Sequence, residues 1–194
     1  MLMHARTAMI RKLSAAAANV QSVFDPLNKS ANAVLSVGNT VLNSNDPSVA
    51  NSRTTTPNSS GKHHLAMQLV TSSSAGSAIE LTGLDNWSLQ NSGTGPYALI
   101  HAGSTAGFIP DQSPATGDIL HVAYDADAGE IFLGLNSTYY AFSGPSVVTA
   151  GSVPTTPTFT TTPGSELYVT GYAGSFDNLT ILAPTPPPGW LSWG

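Results

Sequence analysis

Few residues of this chain could do chemistry, and their spacing limits what each can do. Asp125, Asp127 and Glu130 lie close together, and an Asp-x-Asp pair opens many oxygen-ligand loops for calcium. The EF-hand pattern fails, because its fifth position is Gly129 and its twelfth is Asn136. The better reading is a hairpin turn whose acids face water. His63 and His64 are adjacent, so on a strand they point to opposite faces and cannot chelate one ion together. His101 and His121 could approach either of them across strands, but a zinc site needs three or four convergent ligands. There is no cysteine, which removes thiolate chemistry and disulfides together. No serine sits in a G-x-S-x-G elbow. Glu80, Asp85, Asp111 and Glu166 are scattered, and no pair has a spacing that forces the proximity glycoside hydrolysis requires. The expectation is a protein that is not an enzyme and holds no metal or cofactor. Trp87, Tyr97, Tyr139 and Tyr140, with Trp190 and Trp193 near the end, are the candidate aromatics for a ligand surface on which a saccharide could stack.

These residues sit in an unusual background. Only 9% of the 194 residues are charged, well below the usual quarter, so the polar surface must be Ser, Thr, Asn, Gln and backbone. The charge is also segregated. All six Lys and Arg (Arg6, Arg11, Lys12, Lys29, Arg53, Lys62) precede residue 63, against two acids there, for a formal charge of +4. The remainder carries nine acids and no Lys or Arg, a formal charge of −9. Phosphate contacts rest on Lys and Arg, so a nucleic-acid partner is not expected. No stretch approaches the ~20 apolar residues that span a bilayer, so no membrane partner is expected either. The basic start could dock on an acidic surface, including a neighbouring copy's.

The elements that position the candidates are mostly strands. Residues 7–24 read as the one helix, with Thr7 as N-cap, an alanine-rich centre and Asp25-Pro26 as the stop. Met9, Leu13, Ala16, Val20 and Val23 recur at steps of four and three, which places an apolar stripe on one face as an oligomer or attachment seam. Beyond it, Gly38-Asn39 signals a two-residue hairpin between 34–37 and 40–42. Residues 43–61 read as a loop with an edge strand near 53–56. Residues 62–70 form a strand with His63, Leu65, Met67 and Leu69 on one face and His64, Ala66 and Gln68 on the other. Further strands are expected at 78–84, 87–90, 97–102, 139–142, 167–172 and 178–182. Gly- and Pro-rich loops are expected on to Thr116 and over 144–158. Residues 119–124 and 131–135 form a hairpin around Asp125–Gly129, apolar enough to lie in the core of a sandwich. Many short strands at regular spacing argue for an antiparallel sandwich. The proline run 184–194 should lie along it with one tryptophan as an anchor.

On these residues the chain resembles SPRY-like (B30.2-type) domains, in particular those of bacteriophage structural proteins. The likeness begins at Phe24–Lys29 (FDPLNK), runs through Ala33–Leu42 with its Gly-Asn turn, and includes Ser60-Gly61-Lys62 before a core strand. It is densest at Gly117-Asp118-Ile119, Val122–Gly129 (VAYDADAG), Gly134-Leu135-Asn136 and Thr138-Tyr139-Tyr140, and it closes on Pro187-Pro188-Gly189-Trp190. His63, His64 and Leu65 stand where the family usually places aromatics, and residues 71–116 have little to align. The resemblance implies an all-β fold over residues 24–194, an antiparallel, bent, concanavalin-like β-sandwich (jelly roll); the short N-terminal α-helix, in an attachment segment 1–23, lies outside it. The resemblance also implies binding without chemistry.

The expected function is a non-enzymatic virion protein: a capsid decoration, tail fibre or spike of a bacteriophage, joined to other capsid or tail proteins through its N-terminal segment. A homotrimer is favoured by analogy with three-fold positions on particles. Alternatives are a receptor-binding protein that recognises a host-surface glycan or protein, a carbohydrate-binding module, and an intracellular SPRY adaptor that grips a peptide.

Overall fold

Strand β5 (Lys62–Thr71) sets the architecture, because its alternation separates two environments. Leu65, Met67 and Leu69 are fully or almost fully buried in the main core, while His64 and Gln68 point out of the other face. The computed structural model describes residues 22–44, 47–71, 76–83, 86–91, 95–175 and 177–194. Every regular element among them is a strand, so the chain is an all-β antiparallel sandwich of two sheets.

One sheet has seven strands. It runs in the order β1 (Phe24–Lys29), β4 (Ala50–Thr54), β15 (Tyr168–Ala173), β6 (Ala78–Thr82), β7 (Trp87–Gln90), β8 (Ala98–His101), β9 (Ser104–Phe108). The other runs β13 (Ser146–Gly151), β12 (Thr138–Ser143), β11 (Glu130–Leu135), β10 (Ile119–Asp125), β5, β16 (Asn178–Leu182), β3 (Val41–Ser44), β2 (Ala33–Ser36). Two short strands join it off this path: β14 (Phe159–Thr160) on β11, and β17 (Leu191–Ser192) on β5. Between the sheets, Leu120, Val122, Tyr124, Ile131, Leu133 and Leu135 meet Ile79, Leu81, Leu89, Leu99 and Val169.

The β10–β11 hairpin pairs as the sequence predicts, from Leu120↔Leu135 to Asp125↔Glu130. Its apolar run is continuous because both faces are covered. Ala123, Phe132 and Tyr139 form a second apolar cluster on the outer side, and Trp190 packs edge-on against Phe132 with ring centroids 5.5 Å apart. The Gly38-Asn39 turn is also present. Both residues have positive φ, 64° and 65°, and Thr40 N donates to Val37 O (3.3 Å). Val37 is left-handed as well, at 51°, and pairing stops at Ser36↔Val41, so the loop spans four residues and not the expected two.

Other expectations need correction. The helix over 7–24 falls largely outside the described residues, and Met9, Leu13, Ala16 and Val20 go with it. Its end is not helical. Val23 O accepts from Thr55 N (3.1 Å), and Phe24 opens β1 with its side chain fully buried. Val23 therefore belongs to the sandwich, not to a helical stripe. The edge strand expected near 53–56 is an interior strand, β4, paired on both sides. Strands β9 and β13 lie where loops were expected. Both are end strands of their sheets with mostly exposed residues, so neither shows the buried alternation that betrays a strand in sequence.

The proline run leaves β16, then returns to pair in parallel with the start of β5, Leu191↔His63 and Ser192↔His64. Here β16 has already ended at Leu182↔Ala66, so the tail fills the vacated edge. Trp193 is the expected anchor. It is 1% exposed, and its Nε1 donates to Thr56 O (3.1 Å).

Candidate functional site

The tertiary structure gives the sequence-nominated residues specific partners. Asp125 forms an ion pair with Lys62 (2.5 Å) and accepts from Ala128 N (3.2 Å), while Asp127 accepts from Gly61 N (3.0 Å). These carboxylates hold the β10–β11 turn against the chain entering β5. Asp118 and Asn136, both within the resemblance motifs, have a similar task. Asp118 Oδ2 accepts from Tyr97 OH and Ala115 N (both 2.8 Å), and its Oδ1 accepts from Asn136 Nδ2 (3.1 Å). Asn136 Oδ1 in turn accepts from Ile119 N (3.0 Å).

His63 and His64 do diverge. His63 meets Trp193 edge-on, whereas His64 contacts His121 through Nε2 and Nδ1 at 3.2 Å. His101 lies elsewhere, stacked on Trp87 at 5.6 Å between centroids. Among the described residues no group of three His, Cys, Asp or Glu could hold a metal. The nominated aromatics are covered by the protein itself: Trp87 is 1%, Tyr97 0%, Tyr139 4% and Tyr140 6% exposed. Trp87, Tyr97 and Tyr140 fill the main core, and Tyr139 packs in the smaller cluster on the outer side of the larger sheet, so the four do not form one outward platform. Tyr139 borders a cleft.

That cleft, about 240 Å³, lies on the outer face of the larger sheet. His64, His121 and Tyr139 floor it, and Pro184, Thr185 and Pro187 of the tail help to wall it. Burial lowers His64 to about 4, with His121 adding to the shift, and burial also lowers His121 against an opposing contact from the Asn136 backbone. The pair is neutral near pH 7.

The outer face of the seven-stranded sheet is chemically richer. Alternation sends Val169, Ala173, Ile79, Leu81 and Leu89 inward, so Tyr168, Thr170 and Tyr172 of β15, Glu80 and Thr82 of β6, and Ser88 and Gln90 of β7 face out. The register sets Glu80 between Thr170 and Ser88, and places Tyr172 and Gln90 on either side of Ala78. Five of these positions bound a cleft of about 170 Å³, lined by Val49, Gly76, Ala78, Glu80, Ser88, Gln90 and Tyr172. Tyr172 OH donates to Glu80 Oε1 (3.1 Å). Desolvation pushes Glu80 upward, with the Tyr172 bond opposing, and burial beside Glu80 pushes Tyr172 up. Ser88 and Gln90 make no side-chain hydrogen bond among the described residues. Beside the cleft, the Arg53 guanidinium lies 4.1 Å over the Tyr168 ring. Sequence reasoning passed over this face because Glu80, Ser88, Gln90 and Tyr172 look like routine outward positions until three strands bring them together.

Comparison with known proteins gives a fold. No protein-family model and no curated protein matches the chain. Among solved structures, the SPRY domain of human HERC1 is similar at a TM-score of 0.58 and 17% identity, over 81% of this chain and 96% of that one. The TRIM65 PSpry domain is similar at 0.57 and 12% identity, over 84% of this chain and 90% of its own. Stonustoxin is similar at 0.51 and 18% identity, over 84% of this chain but 27% of the toxin chain. The described residues therefore have a SPRY-like β-sandwich fold.

Proposed function

We propose that this chain is a non-catalytic recognition module that binds through the outer face of its seven-stranded sheet. The observation that carries the reading is the make-up of the 170 Å³ cleft: one carboxylate, Glu80, amid neutral hydrogen-bonding groups. Acid–base hydrolysis of a glycosidic bond needs two carboxylates facing one another, and the cleft lining supplies one. Binding needs only complementary groups and room. The SPRY-like architecture agrees with a module that holds a macromolecular partner.

We further propose that the module is an accessory protein of a bacteriophage particle, a decoration, fibre or spike head. Residues 1–21 attach it as a homotrimer to other capsid or tail proteins, and the sandwich faces outward. The support is the sequence resemblance, the sparse charge of the surface and the separation of a basic start from an acidic body. Several weak attachments acting together give a strong one. Particles assembled with a chain lacking residues 1–21, which keeps all described residues, should lose the protein while the sandwich stays folded. Normal incorporation of the shortened chain would end the attachment proposal.

A further inference from the structure

We propose that the cleft lined by Glu80, Ser88, Gln90 and Tyr172 is a subsite for one ring of a neutral saccharide. The inference rests on the recognition reading above and supplies its ligand class. At about 170 Å³ the cleft takes one ring-sized ligand. It lies on the face of the sheet, over strands β6, β7 and β15, whose backbone groups are already spent on neighbouring strands. A peptide adding as a strand needs a free edge, so extended peptide is disfavoured here.

Charge and polarity narrow the class further. Among the described residues no Lys or Arg lines the cleft, and Glu80 repels anions, which disfavours phosphates, uronic acids and acidic peptides. An apolar ligand would strip water from Glu80, Ser88 and Gln90 and return no hydrogen bonds, a costly exchange. A sugar hydroxyl both donates and accepts. The Glu80 carboxylate accepts from hydroxyls, the Gln90 amide both donates and accepts, and neighbouring hydroxyls of one ring can satisfy the two together. The Tyr172 hydroxyl, bonded to Oε1 at 3.1 Å, fixes the carboxylate and leaves Oε2 for the ligand. The Tyr172 ring, Val49 and Ala78 supply apolar wall for the C–H side of the ring. Glu80 is half-buried in the cleft wall, so a ligand gains a stronger acceptor than a fully solvated surface acid offers.

The test uses the full chain, isotope-labelled, titrated with methyl α-mannoside, methyl β-galactoside, N-acetylglucosamine and N-acetylgalactosamine, with glucuronate as the anionic control. At least one neutral sugar should shift the Gln90 side-chain amide and Tyr172 signals, with a Kd on the order of 1 mM. Gln90→Ala should weaken it about tenfold, the loss of one hydrogen bond. Glucuronate should bind more weakly than the best neutral sugar, and Glu80→Gln, which keeps an acceptor for Tyr172, should narrow that gap. Absence of shifts with all four neutral sugars overturns the saccharide class. Cell-envelope fractions separate the two readings. If their binding is lost in Gln90→Ala, survives periodate and is destroyed by protease, the saccharide class falls while recognition by this face stands. Binding indifferent to both Gln90→Ala and Glu80→Gln overturns both.

Discussion

At the scale of single residues, burial decides what each polar group does. His64 and His121 contact each other at 3.2 Å in a site that disfavours charge on either. The unfolded chain takes up a proton near pH 6.5, whereas folded His64 resists it down to about 4. Stability therefore falls as pH drops through this window and levels off below it. Each pKa unit is worth ~1.4 kcal/mol, so His64 contributes a loss on the order of 3 kcal/mol. Glu80 acts in the opposite sense. Its folded pKa is raised, so protonating it as pH falls relieves a buried charge and adds stability. Urea unfolding of the wild type and His64→Gln from pH 7.5 to 4 should give a visibly flatter profile for the variant. Parallel profiles would mean that His64 is solvated. None of this was legible in the sequence, because strand alternation shows only that His63 and His64 face opposite ways. Whether either is buried depends on what the tail and β10 place over it.

At the scale of elements, the β10–β11 hairpin was legible and its reason is local. Two apolar runs flank a turn of acids and glycine, and each requirement is written in adjacent residues. Gly129 shows how tightly that turn is then clasped. It has φ +69°, and a Cβ there would lie 2.3 Å from Thr161 O and 2.9 Å from Pro163 N. Gly144, at φ +63°, has open space around its Cβ position. Gly144→Ala should cost about 1 kcal/mol, the left-handed penalty alone. Gly129→Ala should cost roughly 3 kcal/mol, because backbone must also move. Equal midpoints in thermal unfolding would show that the 161–163 segment yields freely. The end strands β9 and β13 were not legible. An outer strand can be made of any residues that tolerate water, and their pairing is dictated by the neighbour's open edge.

At the scale of the whole molecule, the distribution of charge makes the strongest statement. The cations are confined to the first third and nine acids lie beyond them. If basic segments dock on acidic neighbours, association should weaken with salt, since the screening length falls to about 3 Å at 1 M. Native mass measurement should find the full chain as a trimer at low salt and the chain lacking residues 1–21 as a monomer at every salt concentration. A trimer that survives the deletion would place the assembly contact on the sandwich itself.

By itself, the sequence determined the sandwich class, the central hairpin, the opposed faces of β5 and the anchoring of the proline tail by a tryptophan. Each of these depends on periodicity or turn chemistry within a few residues. Only the tertiary structure decided which polar groups converge. Tyr172 is far in sequence from Glu80 and Gln90, and meets them through the strand order β15-β6-β7. It also decided that Trp87, Tyr97 and Tyr140 fill the interior while Tyr139 is covered on the outer side. An aromatic side chain satisfies a core or a binding surface equally well, and the choice is made by the sheet packed against it.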